Sequence, residues 1–410
     1  MAYLQQTFAS LVLRPYRRLW AGSMLATTAF MMSFMLVPSV AYELTGDNTS
    51  AGLAQMGAGV AMLFVSPIGG VIADRLRKKP LVLAGQIVPS AVILATGILI
   101  RADLITVPIL SGATLIMGLG FAFMGPARQA WVAELVTPQL LPNAIALQQI
   151  ATNIAQVAAP LLVAVLVGPW LDIGGAYLFM ASLFVIVLPL TISLPNTTPK
   201  PKQAKSVSHE LGAGISYVWS DLRLRTLWLA FLGVVVTGFA FQTLLPGMLD
   251  QELGRDPTSI GGPFLAMAVA GLVLNLWLAG MVGTRWAWPI LLIMGMVLAG
   301  AYIAMAVAPS YGLAVAAAIP LGAGRSGFML IDNALLMSYS EPAYHGRVMS
   351  LAMMGFGSQA LLAPVWGLLG DQVGVRSAMM VAGFTSAVLT VAVGVTWLQI
   401  RRGEDHYEVA

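Results

Sequence analysis

Apolar positions along this chain come in runs of about twenty, each bounded by a short polar stretch. Twelve such runs are legible: residues 19–42, 51–72, 81–100, 104–125, 143–168, 174–194, 226–249, 260–282, 287–307, 312–337, 348–369 and 375–399. About 20 apolar residues in a helix span the hydrocarbon core of a bilayer. There the backbone must satisfy its own hydrogen bonds, and a helix does so within one segment. The pattern predicts an all-α membrane protein with twelve transmembrane helices.

One connection is longer than the rest. Leu194-Pro195-Asn196-Thr197-Thr198-Pro199-Lys200-Pro201-Lys202 is a Pro/Lys linker. Behind it Val207, Leu211, Ile215, Val218 and Leu222 recur at helical spacing, which predicts an amphipathic helix lying at the membrane interface. The chain thus divides into a six-span bundle (1–194), a linker with an interfacial helix (195–225), and a second six-span bundle with a short tail (226–410).

Composition agrees and narrows the classes. The 410 residues are 58% hydrophobic and 9% charged, whereas soluble domains average about a quarter charged. Without Cys there are no disulfides or thiolate metal sites, and His209, His345 and His406 are scattered. No metal or cofactor is expected. The net charge of +4 is modest and points to a membrane surface, not to nucleic acid. Phosphate loops, H-E-x-x-H and a Ser/His/Asp grouping are missing, so neither an enzyme nor an ATP-driven pump is expected. No cleavable leader is expected either, because Met1–Ser10 is not basic and the first apolar run is too long.

The distribution of cations sets the orientation. Arg14, Arg17, Arg18, Arg75, Arg77, Lys78, Lys79, Arg128, Lys200, Lys202, Lys205, Arg223, Arg225, Arg285, Arg347, Arg401 and Arg402 fall on one side; Arg101, Arg255 and Arg376 fall on the other. The opposite loops carry Asp47, Asp103, Asp172, Asp250, Glu252, Asp256 and Asp371. The positive-inside rule then puts both termini in the cytoplasm.

The two halves repeat. At an offset of 204, Gly118 and Gly120 fall on Gly322 and Gly324, Pro138 on Pro342, and Ala159-Pro160 on Ala363-Pro364. Doubled six-span halves predict a substrate site near the midplane and transport by rocking one half against the other.

Between the second and third runs lies Gly69-Gly70-Val71-Ile72-Ala73-Asp74-Arg75-Leu76-Arg77-Lys78-Lys79-Pro80. This stretch resembles the loop between spans 2 and 3 of the major facilitator superfamily. Gly70, Asp74, Arg75, Lys78 and Lys79 match position by position, while Arg77 stands where the family usually has Gly. Gly125-Pro126-Ala127-Arg128-Gln129-Ala130, Glu134-Leu135-Val136, Tyr42-Glu43-Leu44-Thr45-Gly46 and Gly346-Arg347-Val348-Met349-Ser350 look like the bacterial exporter subgroup that includes the enterobactin exporter. The resemblance implies two pseudo-symmetric six-helix bundles, the major facilitator fold. It also implies a cytoplasmic gate at Gly70, Asp74, Arg75, Lys78, Lys79, Arg128, Glu134 and Arg347, with Asp74 meeting the N-terminus of span 11. A monomer is the family expectation. Arg128 and Glu134 are expected in the loop after span 4.

Intramembrane polar residues give the remaining candidates. Span 10 carries Arg325 and Asp332 on one face, with Asn333 beside them. Burial of either charge is costly, so they should face a cavity; Arg325 reads as a contact for an anionic substrate group and Asp332 as a protonation site or as part of an ion network within reach of the cytoplasm. Gln149, Asn153 and Gln156 form a polar stripe in span 5 that either lines the cavity or glues helices. Phe239 and Gln242 in span 7 are further cavity candidates, and Glu43 and Asp74 further protonation candidates. The expectation is a multi-pass transporter of a bacterial inner membrane. It would export a small, partly apolar compound, a drug or siderophore-like metabolite, by proton antiport, its partners being that substrate, protons and membrane lipids. A lipid or lysolipid flippase of the same fold and a non-transporting receptor or scaffold are the alternatives.

Overall fold

The computed structural model describes residues 8–196, 207–278, 280–281, 284–341 and 344–408; the side chains of 66–75, 207–211, 346, 350, 353 and 402–408 lie outside that description. The described residues are mostly helical: α1 (Arg14–Thr45), α2 (Asn48–Arg75), α3 (Lys78–Arg101), α4 (Val107–Leu135), α5 (Leu141–Leu166), α6 (Ile173–Ile192), α7 (Val207–Ser220), α8 (Leu222–Gly238), α9 (Ala240–Gly247), α10 (Gly261–Leu278), α11 (Ala287–Ala306), α12 (Tyr311–Tyr339), α13 (His345–Val373) and α14 (Val375–Glu408). Among the described residues, eleven helical stretches are long and apolar enough to cross a membrane, α8 and α9 counting as one. The second predicted span is α2.

Two units emerge. Unit 1 comprises Met1–Leu44 and Leu53–Ala204; unit 2 comprises Thr45–Gly52 and Lys205–Ala410. The first turn of α2 therefore belongs with unit 2.

In unit 1 the start of α1 is fastened to α5. Tyr16 donates its hydroxyl to the Ala144 carbonyl at 2.7 Å, and the Trp20 indole donates to the Leu147 carbonyl at 2.7 Å. Around them Tyr16, Leu19, Val82, Ala127, Trp131 and Leu147 form a buried core. That core corrects the reading of span 4. The helix does not stop near residue 125 but runs to Leu135, which puts Arg128 and Glu134 on a helix, not in a loop. Ala127, Trp131 and Val132 are buried at helical spacing, and this packing carries the helix through Pro126.

In unit 2 the linker helix α7 docks on the start of α13. The Tyr217 and Tyr344 rings stack at 3.9 Å, and Tyr217 Oη accepts the Glu341 backbone N–H at 2.9 Å. Asp221 caps α8 by accepting from the Arg223 and Leu224 N–H groups, so span 7 begins at 222, four residues before its apolar run.

The repeat is visible in the packing. A Cβ on Gly118 would lie 2.9 Å from the Ala58 Cα, so α4 meets α2 there; a Cβ on Gly322 would strike the Met267 backbone, so α12 meets α10. Gly120 faces Pro89 of α3, and Gly324 faces Leu298 of α11. The matched glycines let matched helix pairs approach closely.

Candidate functional site

Span 7 is broken near its middle. α8 ends at Gly238 and α9 starts at Ala240, with Phe239 between them. A break in lipid frees backbone groups that need partners. Tyr302 of α11, fully buried, supplies them: its hydroxyl donates to the Thr237 carbonyl at 2.6 Å and accepts the Phe241 N–H at 3.1 Å. The Thr237 hydroxyl is in turn hydrogen-bonded by Ser386 at 2.9 Å.

At this break the Arg325 guanidinium lies over the Phe239 ring, 4.4 Å from its centroid. Phe239 meets Phe356 edge-on, as does Phe231, and Met329 packs on the same cluster. A cation held on an aromatic face beside a flexible thioether can meet a ligand that is apolar with one anionic group.

Asp332 is 0% exposed, and neither carboxyl oxygen has a hydrogen-bond partner. α12 runs seven residues beyond it to Tyr339, and the face that carries it is packed. Asn333 turns its amide back to the Met329 carbonyl of its own helix at 2.8 Å. Gln242 is buried in α9.

Unit 1 distributes its candidates differently. Gln149 and Gln156 are exposed and Asn153 is half-buried, with Gln149 donating to Asn153 at 3.1 Å. Arg128 is hydrogen-bonded to the Thr27 hydroxyl at 3.4 Å. Lys78 pairs with Glu134 at 3.9 Å, and Lys79 donates to the Leu194 carbonyl at 2.7 Å. Glu43 is exposed at the end of α1. Gly70 and the side chains of Asp74 and Arg75 fall in the stretch 66–75, of which only the backbone is described. In unit 2, Arg347 lies over the Tyr344 ring at 4.8 Å. Among the described residues no group of three or more His, Asp or Glu side chains is placed to hold a metal ion.

Sequence reasoning missed three participants. Tyr302 and Phe356 looked like ordinary apolar-run residues. Asp371, read as a loop residue, lies inside α13 and holds the first turn of α2.

A family model described as Major Facilitator Superfamily matches residues 19–358. The chain belongs to the major facilitator superfamily. It is a multi-pass membrane transporter with the all-α fold of that superfamily. The multidrug resistance protein 1 of Bacillus subtilis (strain 168) is 22% identical over 266 residues, covering 61% of this chain and 62% of that protein, so the match spans less than two thirds of the relative. Solved structures share the fold. A peptide transporter POT mutant in complex with alafosfalin has a TM-score of 0.76 at 14% identity, covering 97% of this chain and 98% of that one. The nucleoside transporter NupG has a TM-score of 0.70 at 16% identity, covering 93% and 99%. In the superfamily frame, the break at Phe239 and the buried carboxyl of Asp332 are the features of this transporter that call for a functional account.

Proposed function

We propose that this transporter exports a small, partly apolar compound, a drug or siderophore-like metabolite, across a bacterial inner membrane in exchange for protons. The observation that carries the proposal is Asp332, a carboxyl sealed inside α12 with neither oxygen hydrogen-bonded. A lone buried carboxylate is costly, and a group that gains and loses a proton there links the gradient to the state of its helix. Arg325 lies seven residues away, about 10 Å along the same helix face. With Phe239, Phe356 and Met329 it offers a surface for a cargo that is apolar and carries an anionic group.

Export draws support from the likeness to a protein named for multidrug resistance. In this reading Gln149, Asn153 and Gln156 add neutral amide contacts to the cargo. Gly70, Asp74, Arg75, Lys78, Lys79, Arg128, Glu134 and Arg347 act as the cytoplasmic gate, with both termini on that side, and the two bundles alternate access as a monomer.

Counterflow of a fluorescent, partly apolar dye in proteoliposomes with an imposed pH gradient tests the proposal. Wild-type flux should follow the gradient, and Asp332→Asn should retain exchange while losing that dependence. Wild-type flux indifferent to the gradient would remove the antiport reading.

A further inference from the structure

Three arginines from separate segments converge on one cavity of about 570 Å³ in unit 2. Arg223 opens α8, Arg285 lies just before α11, and Arg401 lies near the end of α14. Trp288, Tyr339 and Trp397 form the aromatic wall, and none of the described lining residues is acidic. The wall is built. Trp288 and Trp397 stack at 6.1 Å, and the Trp288 indole donates to the Tyr339 hydroxyl at 3.0 Å. Arg223 lies over the Tyr339 ring at 5.3 Å and Arg285 over Trp286 at 5.4 Å. For Arg285 the stacking engages the plane of the guanidinium, whereas phosphate oxygens are bound along a guanidinium's edge.

The lining comes from the ends of four membrane-crossing helices, and tryptophans concentrate at the level of the lipid headgroups. From the cavity, exposed apolar side chains continue along the two helices that flank it: Ile293 and Met296 on α11, Val391, Val395 and Leu398 on α14. We propose that this cavity binds the phosphodiester headgroup of an anionic phospholipid, whose acyl chains lie along α11 and α14. Basic pockets between transmembrane helices suit such headgroups. The site shares no residue with the Arg325 cluster, so it stands or falls independently of the cargo.

The test is a binding titration of the purified full-length protein in detergent with phosphatidylglycerol, phosphatidylcholine or inorganic phosphate, read by tryptophan fluorescence and thermal stability. Phosphatidylglycerol should bind and raise the unfolding temperature, and phosphatidylcholine should not. Arg285→Gln, at an exposed site, should weaken phosphatidylglycerol several-fold, and the triple variant Arg223→Gln/Arg285→Gln/Arg401→Gln at least tenfold. Equal binding of phosphatidylcholine, undiminished phosphatidylglycerol binding by Arg285→Gln, or full competition by inorganic phosphate would each overturn the proposal, the last by revealing a site for free phosphate.

Discussion

The Asp371 carboxylate accepts the Asn48 backbone N–H at 2.8 Å, joining residues 323 positions apart. The same carboxylate accepts the Asn48 side-chain amide at 2.9 Å, the Thr49 N–H at 2.8 Å and the Thr49 hydroxyl at 2.6 Å. A carboxylate at a helix N-terminus satisfies orphan donors and meets the positive end of the helix dipole. This clasp fixes Thr45–Gly52 to unit 2.

Removing the clasp should expose the start of α2. Hydrogen bonds to a charged group contribute about 1.5–3 kcal/mol each, so Asp371→Ala should speed amide exchange at Asn48 and Thr49 by at least roughly tenfold. Hydrogen–deuterium exchange in detergent reads this directly. Exchange at the wild-type rate would mean that the first turn is held by packing alone.

Tyr302→Phe keeps the ring and deletes the hydroxyl that bridges Thr237 and Phe241. Leaving buried backbone groups unsatisfied costs about 1–3 kcal/mol. Thermal unfolding should shift down by several degrees. An unchanged midpoint would show that the break in span 7 has other support.

The matched glycines predict matched sensitivities. Gly118→Ala and Gly322→Ala should each destabilise by about 1–3 kcal/mol through overpacking, because a Cβ at either meets backbone. Gly112→Ala and Gly312→Ala, where nothing lies within 4 Å, should be neutral or slightly stabilising. Thermal melts of the four variants check the contrast.

Asp172 caps α6 by accepting the Gly175 N–H at 3.0 Å and pairs with Arg101 at 2.8 Å. The Arg101 guanidinium beside it, helped by the Gly175 N–H, holds the carboxyl below its ordinary value. A group depressed in this way stabilises the fold at pH values above its unfolded pKa of about 3.9. That contribution is lost as pH falls through the lower folded value. Asp172→Ala should cost about 1 kcal/mol, mostly from the cap, since the exposed ion pair adds little. The difference from wild type should be flat from about pH 5 upward and shrink below about pH 4. A pH series of melts would show it.

The sequence by itself determined the membrane class, the helical spans apart from the end of the fourth and the start of the seventh, and the glycine repeat. A bilayer imposes one thickness and one economical solution for the backbone, so run length is enough to read a span. The glycines at 118 and 322 were legible because close helix approach demands the smallest residue wherever it occurs. Tertiary structure decided the rest. Whether α4 passes through Pro126 depends on Trp131 finding a core built from α1 and α5, and whether span 7 can break at Phe239 depends on Tyr302 some sixty positions away. The isolation of Asp332, the seat of Arg325 on Phe239 and the clasp of Asp371 on Asn48 likewise depend on neighbours distant in the chain. Local pattern records what a residue needs from its medium; it does not record which remote side chain supplies it.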